Sequence, residues 1–365
     1  MTSSVPPVPA SVPRSPDASG GSSRKGRSTL RSPGQLVEAG LIPETMRHDV
    51  EEVAARYATA IPTTFLSLIG TPDDPIGRQV IPHPDELISA PSERADPIGD
   101  DALSPVPGIV HRYADRALLK PLLICPLYCR FCFRREHVGP DGGLLDDAAL
   151  ATALDWLGEH EQIREVILTG GDPLMLSARR LGHIVRALDE IPHVTTIRIH
   201  SRVPLADPER ITDELVAAME TDRAMWLVLH ANHEREFTVE GRAALKRMQR
   251  RGIPLLGQSV LLRGVNDSVP VLEGLFRAMV ENRVKPYYLH QLDPAPGTAR
   301  FHVPVEEGRT LLQGLRGRVT GLAWPTYVLD IPGGFGKVPL GPDYVDTGAD
   351  RVTDPQGRQH VLSEL

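Results

Sequence analysis

Cys125, Cys129 and Cys132 are the only cysteines in the chain and form a C-x3-C-x2-C array directly behind the apolar run 122–124. Three thiolates this close, with no fourth, suit three irons of a four-iron cluster and leave the last iron open to a ligand. Two plainer readings compete: a zinc site completed by His111 or His137, or buried thiols that are merely neighbours. Zinc usually takes two separated ligand pairs, and neither histidine sits at a usual finger spacing. Lys337 is the second conspicuous group, in the glycine-rich run 332–339, which reads as a flexible loop just beyond the last strand. Val338 stands where a phosphate loop needs Ser or Thr. What is left is a Schiff-base amine, kept nucleophilic by partial desolvation, or a surface lysine in a turn.

Further candidates are weaker taken singly. Arg112 and Arg116 lie four residues apart, able to share one face of a helix and hold a phosphate or carboxylate, with Tyr113 between them to stack on a ring. A solvated charge pair with Asp115 is the bland alternative. The turn Gly170-Gly171-Asp172-Pro173 offers backbone unshielded by side chains, suited to a small zwitterion, or is simply a turn opening a helix. His230 is either a pocket residue or a satisfied core histidine.

These residues need a scaffold, and the pattern beyond Leu118 supplies one. Strand-like runs near 118–124, 164–169, 194–200, 225–230, 254–261, 284–290 and 326–330 alternate with helical segments at 146–160, 177–190, 208–220, 238–251, 268–281 and 304–317. Steady alternation implies parallel strands with right-handed crossovers. Six βα units and a closing strand predict an α/β fold, a partial (βα)6 barrel, in which chemistry collects at the carboxyl ends of the strands. Cys125, Asp172, His200 with Arg202, His230, Asp293 and Asp330 all follow strands.

A chain of 365 residues, 41% of them hydrophobic, can bury a large core. Net charge of −7 gives no global electrostatic case for nucleic acid. No apolar stretch approaches a bilayer crossing, and the N-terminus lacks a signal-peptide core. Three clustered cysteines argue for a reducing compartment, so a cytoplasmic protein is expected. Residues 1–34, rich in Pro, Ser, Gly and Arg, read as a disordered tail, with a transit peptide as the alternative. The remaining divisions are an N-terminal helical cap over 35–110, the barrel over 111–345 and a short C-terminal tail over 346–365.

The cysteine array, with an aromatic before its last member, resembles the signature of radical S-adenosylmethionine enzymes. Adding residues 111–116, the Asp172 turn, 258–267, 286–288, 291–293 and 330–337, the chain from about 35 to 345 resembles the lysine 2,3-aminomutase family. The resemblance implies a [4Fe–4S] cluster on Cys125, Cys129 and Cys132, S-adenosylmethionine near Gly170, Gly171, Asp172, His230 and Gln258, and pyridoxal phosphate on Lys337 among Arg112, Tyr113 and Arg116. It further implies that Arg134 pairs with the substrate carboxylate and that Asp293 and Asp330 hold the side-chain ammonium of lysine. Two close carboxylates favour a cation between them and repel glutamate, although a guanidinium could bridge them as well.

Departures from the family are visible. Ser268 stands where a zinc-binding cysteine is usual, and no cysteine follows Tyr344, so structural zinc is not expected and the family's zinc-linked assembly is in doubt. Glu136 and His137 replace a more basic continuation, and His290 takes the place of a frequent aromatic. The expected partners are an amino-acid substrate and an electron donor for the cluster, with no nucleic acid, no membrane and a homo-oligomer as an option. Competing readings are an arginine 2,3-aminomutase, a lysine mutase dedicated to modifying elongation factor P, a non-catalytic iron–sulfur protein on the same scaffold and a zinc-dependent interaction module.

Overall fold

The structure is a computed structural model that describes residues 29–364. The expected disordered tail lies mostly outside the described residues. Its last part does not read as tail: Leu30 exchanges both backbone hydrogen bonds with Ile61, and Ser32 caps the first helix through a reciprocal box with Gln35.

Four short helices, α1 (Pro33–Glu38), α2 (Arg47–Arg56), α3 (Thr63–Leu66) and α4 (Gly77–Val80), build the N-terminal extension. None is long enough to stand alone, so packing must hold them. Leu36, Val50, Phe65, Ile76 and Val80 bury themselves in one cluster with Leu127 of the cysteine loop and Ala206 of the barrel. The extension is therefore a buttress behind the cysteines.

Nine strands form one open sheet in sequential order: β1 (Ile109–Tyr113), β2 (Arg116–Leu122), β3 (Glu165–Gly170), β4 (Thr196–Ser201), β5 (Ala224–His230), β6 (Leu255–Val260), β7 (Val284–His290), β8 (Thr326–Ile331) and β9 (Gly336–Gly341). β2 to β8 run parallel, as expected of a partial barrel, while β1 and β9 add antiparallel edges. The two edge strands do not pair with each other, so the sheet is curled but not closed.

Crossovers carry α5 (Asp147–Gly158), α6 (Ala178–Asp189), the short α7 (Val203–Ala206) and α8 (Asp213–Ala217), α9 (Val239–Arg250), α10 (Val269–Glu281) and α11 (Val305–Leu315). Side chains of Asp146, Ser177, Thr212 and Thr238 cap α5, α6, α8 and α9. The helix expected over 208–220 shrinks to α8 because Pro208 and the Thr212 cap restart the chain inside it. Two other expectations are corrected. Residues 111–116 are a β-hairpin, not a helix, and 346–365 contribute to a small three-stranded sheet, β10 (Val345–Asp346), β11 (Arg351–Thr353) and β12 (Gln359–Val361). Among the described residues no helix is long and apolar enough to cross a membrane.

Candidate active site

One cavity of about 720 Å³ opens at the carboxyl ends of the parallel strands, within the range of small-molecule sites. Its wall includes Cys125, Cys129, Cys132, Arg112, Tyr113, Arg116, Arg134, Gly171, Asp172, His230, Gln258, Asp293, Asp330 and Lys337. Of the site residues expected from the sequence, only Gly170 is outside that wall.

Lys337 is not on a loop. It sits on β9 directly across from Asp330 on β8, and the hairpin register brings its Nζ to 2.6 Å from Asp330 Oδ2. The second oxygen of Asp330 accepts from Arg112 Nη1 at 3.2 Å. Arg112 in turn meets Asp100 at 3.4 Å, and Asp100 accepts from Arg134 Nε at 2.7 Å. A chain of alternating charge thus runs Lys337, Asp330, Arg112, Asp100, Arg134. The terminal nitrogens of Arg134 make no hydrogen bond among the described residues, leaving a fork open for a carboxylate. Burial pushes the Asp100 carboxyl up, but Arg134, with Lys120 and Arg112, outweighs it and holds the group below its usual range. Asp100 was not singled out in the sequence, where it is one of several acids in a loop.

Asp293 differs from Asp330. Half-buried at the cavity wall, its side chain has no hydrogen bond or ion pair among the described residues. Burial, then the charge of Asp330, push its pKa up to about 7. His290, the last residue of β7 just before it, is driven down to about 4 by burial and by Lys337.

The β1–β2 hairpin places Tyr113 and Arg116 as register partners, so the guanidinium lies 3.7 Å from the ring centroid. Tyr113 Oη accepts the Lys337 backbone N–H at 2.8 Å. The hairpin therefore gathers Arg112, Tyr113 and Arg116 around Lys337.

The glycine turn has a structural role of its own. Gly171 and Asp172 donate their amides to the carbonyls of Leu122 and Ile124, at 2.8 and 2.9 Å, and a Cβ on Gly171 would lie 2.4 Å from the Ile124 oxygen. One close approach that requires glycine is to the chain leading to Cys125, while Gly171 and Asp172 also line the cavity. The Asp172 carboxylate is also occupied, accepting from Ser201 Oγ and the amides of Arg202, Val203 and Leu174.

The comparisons with known proteins agree with this geometry. A family model described as the radical SAM superfamily matches residues 119–271, and one described as lysine-2,3-aminomutase matches 312–353. The chain is 43% identical to the L-lysine 2,3-aminomutase of Acetoanaerobium sticklandii over 78% of this chain and 70% of the relative. It is 43% identical to the L-lysine 2,3-aminomutase of Clostridium subterminale over 83% and 74%. The chain belongs to the lysine 2,3-aminomutase family. A glutamate 2,3-aminomutase of Clostridioides difficile is also related, at 37% identity over 83% of this chain and 72% of that one.

Membership of the family implies a [4Fe–4S] cluster, S-adenosylmethionine and pyridoxal phosphate, and the cavity suits all three. Burial, then Asp172 and the other thiols, push the Cys125 thiol far up, and burial, then Cys129, push Cys132 to about 11. Thiolates there need the positive charge of iron. Among the described residues no three His, Cys, Asp or Glu side chains converge on a point suited to a single metal ion. Nε2 atoms of His200 and His230 are buried without a partner on the cavity wall, where S-adenosylmethionine or pyridoxal phosphate could supply one. An amine in reach of the cavity, Lys337, suits a Schiff base.

Proposed function

We propose that the chain moves the α-amino group of L-lysine to the β carbon, giving β-lysine. In this reading Cys125, Cys129 and Cys132 hold the cluster, His230 and Gln258 face S-adenosylmethionine with the Gly170 to Asp172 turn behind, and Lys337 takes pyridoxal phosphate among Arg112, Tyr113 and Arg116. When bound, the cluster and S-adenosylmethionine supply a deoxyadenosyl radical that removes and returns a hydrogen, and pyridoxal phosphate supplies a ring that delocalises the unpaired electron. An external low-potential donor reduces the cluster.

The observation that carries the choice of substrate is the acid pair. Asp330 already grips a lysine ammonium, that of Lys337, at 2.6 Å, and Asp293 stands in the same wall with no cation of its own. Once the Lys337 nitrogen is engaged elsewhere, Asp330 is released to hold the substrate's ε-ammonium together with Asp293. Arg134, braced by Asp100, receives the α-carboxylate on its open fork, fixing the substrate at both ends. Glutamate would bring a third carboxylate against Asp293 and Asp330.

The test is direct. The cluster is reconstituted anaerobically, then pyridoxal phosphate, S-adenosylmethionine and a reductant are added with L-lysine, L-arginine or L-glutamate, and β-amino acids are followed by mass spectrometry. β-Lysine from lysine alone is the expected result. Preference for arginine would keep the mechanism and show that the acid pair reads charge without length, while turnover of glutamate would overturn the acid-pair argument.

A further inference from the structure

Arg202 follows β4 and is only 5% exposed, yet its guanidinium is almost fully engaged. Nη1 donates to Cys129 Sγ at 2.9 Å, while Nη2 donates to Gln79 Oε1 at 2.6 Å and Glu236 Oε2 at 3.0 Å. The Phe65 ring lies 4.9 Å from it, and Glu236, fully buried, is itself fixed by the amides of Asn232 and His233. The group cannot swing away without breaking several bonds at once. The other two thiols differ, because Cys125 and Cys132 meet backbone amides, from Asp172 and Arg134. Cys129 alone has a cationic hydrogen-bond donor among the described residues.

We infer that Arg202 sets the reduction potential of the cluster held by the three cysteines, with Glu236 as the counter-charge that limits its effect. This rests on the reading of Cys125, Cys129 and Cys132 as cluster ligands. Reduction adds one electron from a low-potential one-electron donor to the oxidised cluster, with no bond made or broken, and so adds one negative charge to the iron–sulfur unit. A cation donating to a ligating sulfur stabilises the more negative state, and hydrogen bonds to sulfur are an established means of tuning such potentials. Burial keeps solvent from screening the effect. Glu236, on the far side of the guanidinium, opposes it. Arg202 is thus a positioning and tuning residue, and it and Glu236 should act with opposite signs.

The experiment is a redox titration of the anaerobically reconstituted full chain, monitored by electron paramagnetic resonance, with iron and sulfide quantified in each sample. Wild type is compared with Arg202→Met, Arg202→Lys and Glu236→Gln. Arg202→Met should lower the reduced-to-oxidised ratio at fixed solution potential by about tenfold, or about 59 mV for one electron. Arg202→Lys, which keeps the charge but cannot hold all three bonds, should fall between it and wild type. Glu236→Gln should raise the ratio. Equal potentials in proteins of full iron content, or shifts of one sign in the Arg202 variants and Glu236→Gln alike, would overturn the inference. If Arg202→Met does not retain iron, the Lys and Gln variants decide by the same criterion. Failure of the wild-type chain to take up a cluster would instead overturn the cysteine assignment.

Discussion

Asp293 titrates where the enzyme would work. With its pKa near 7 in the unpartnered wall, it is protonated below that pH and cannot hold an ammonium. Lysine affinity should therefore fall by up to tenfold per pH unit below about pH 7, and Asp293→Asn should flatten that dependence in a KM-against-pH profile. The stability sign is opposite. Because folding raises this pKa, Asp293 favours the fold at low pH, and that contribution is lost as pH rises from the usual carboxylate range through about 7. Bound lysine should recover it, which thermal unfolding with and without substrate will read. Asp100→Asn removes the anion between Arg112 and Arg134 and should raise the KM for lysine roughly tenfold to a hundredfold, from about 1.5–3 kcal/mol of charged hydrogen bonding, with a smaller change in kcat. The cysteines stood out in the sequence because few roles suit thiols at that spacing, whereas a lysine among glycines reads equally as a Schiff-base amine or a surface group until the register of β8 and β9 sets it against Asp330. Asp100 was not, because an acid in an irregular loop carries no signal until folding sets it between two guanidiniums.

Hairpins at both edges of the sheet aim the residues around Lys337, and these were the elements hardest to read. Among the parallel strands, β3 and β5 announce themselves by apolar runs, and β4 and β6 by the alternation of buried and half-buried residues. β1 and β9 are edge strands containing His, Arg, Gly and Pro, and an i, i+4 arginine pair looks the same in a helix as across a tight turn. Their register is what matters. Tyr113→Phe should leave the fold intact but release the Lys337 amide, weakening pyridoxal phosphate loading by about 0.5–1.5 kcal/mol in an absorbance titration. Gly171→Ala should push its new Cβ into the backbone of Ile124, costing about 1–3 kcal/mol in urea unfolding and reducing iron retained per chain.

Across the whole molecule, the N-terminal extension and the barrel share one purpose, since the helices before residue 81 pack on Leu127 beside the cysteines. Phe65→Ala should destabilise the fold by about 3–5 kcal/mol in denaturant titration, because the ring is fully buried and lies against Arg202. The sequence reading anticipated a helical extension, but its contact with the cysteine loop joins residues far apart in the chain and no periodicity reports that. The Lys337–Asp330 pair, finally, makes the order of loading matter. Asp330 carries a tethered competitor for any free lysine, so the amino acid offered first meets a carboxylate already spoken for, whereas pyridoxal phosphate offered first removes that competitor. Calorimetric titrations run in the two orders should differ, with lysine binding tighter in the second. Such a protein would ignore free lysine until it is equipped to transform it.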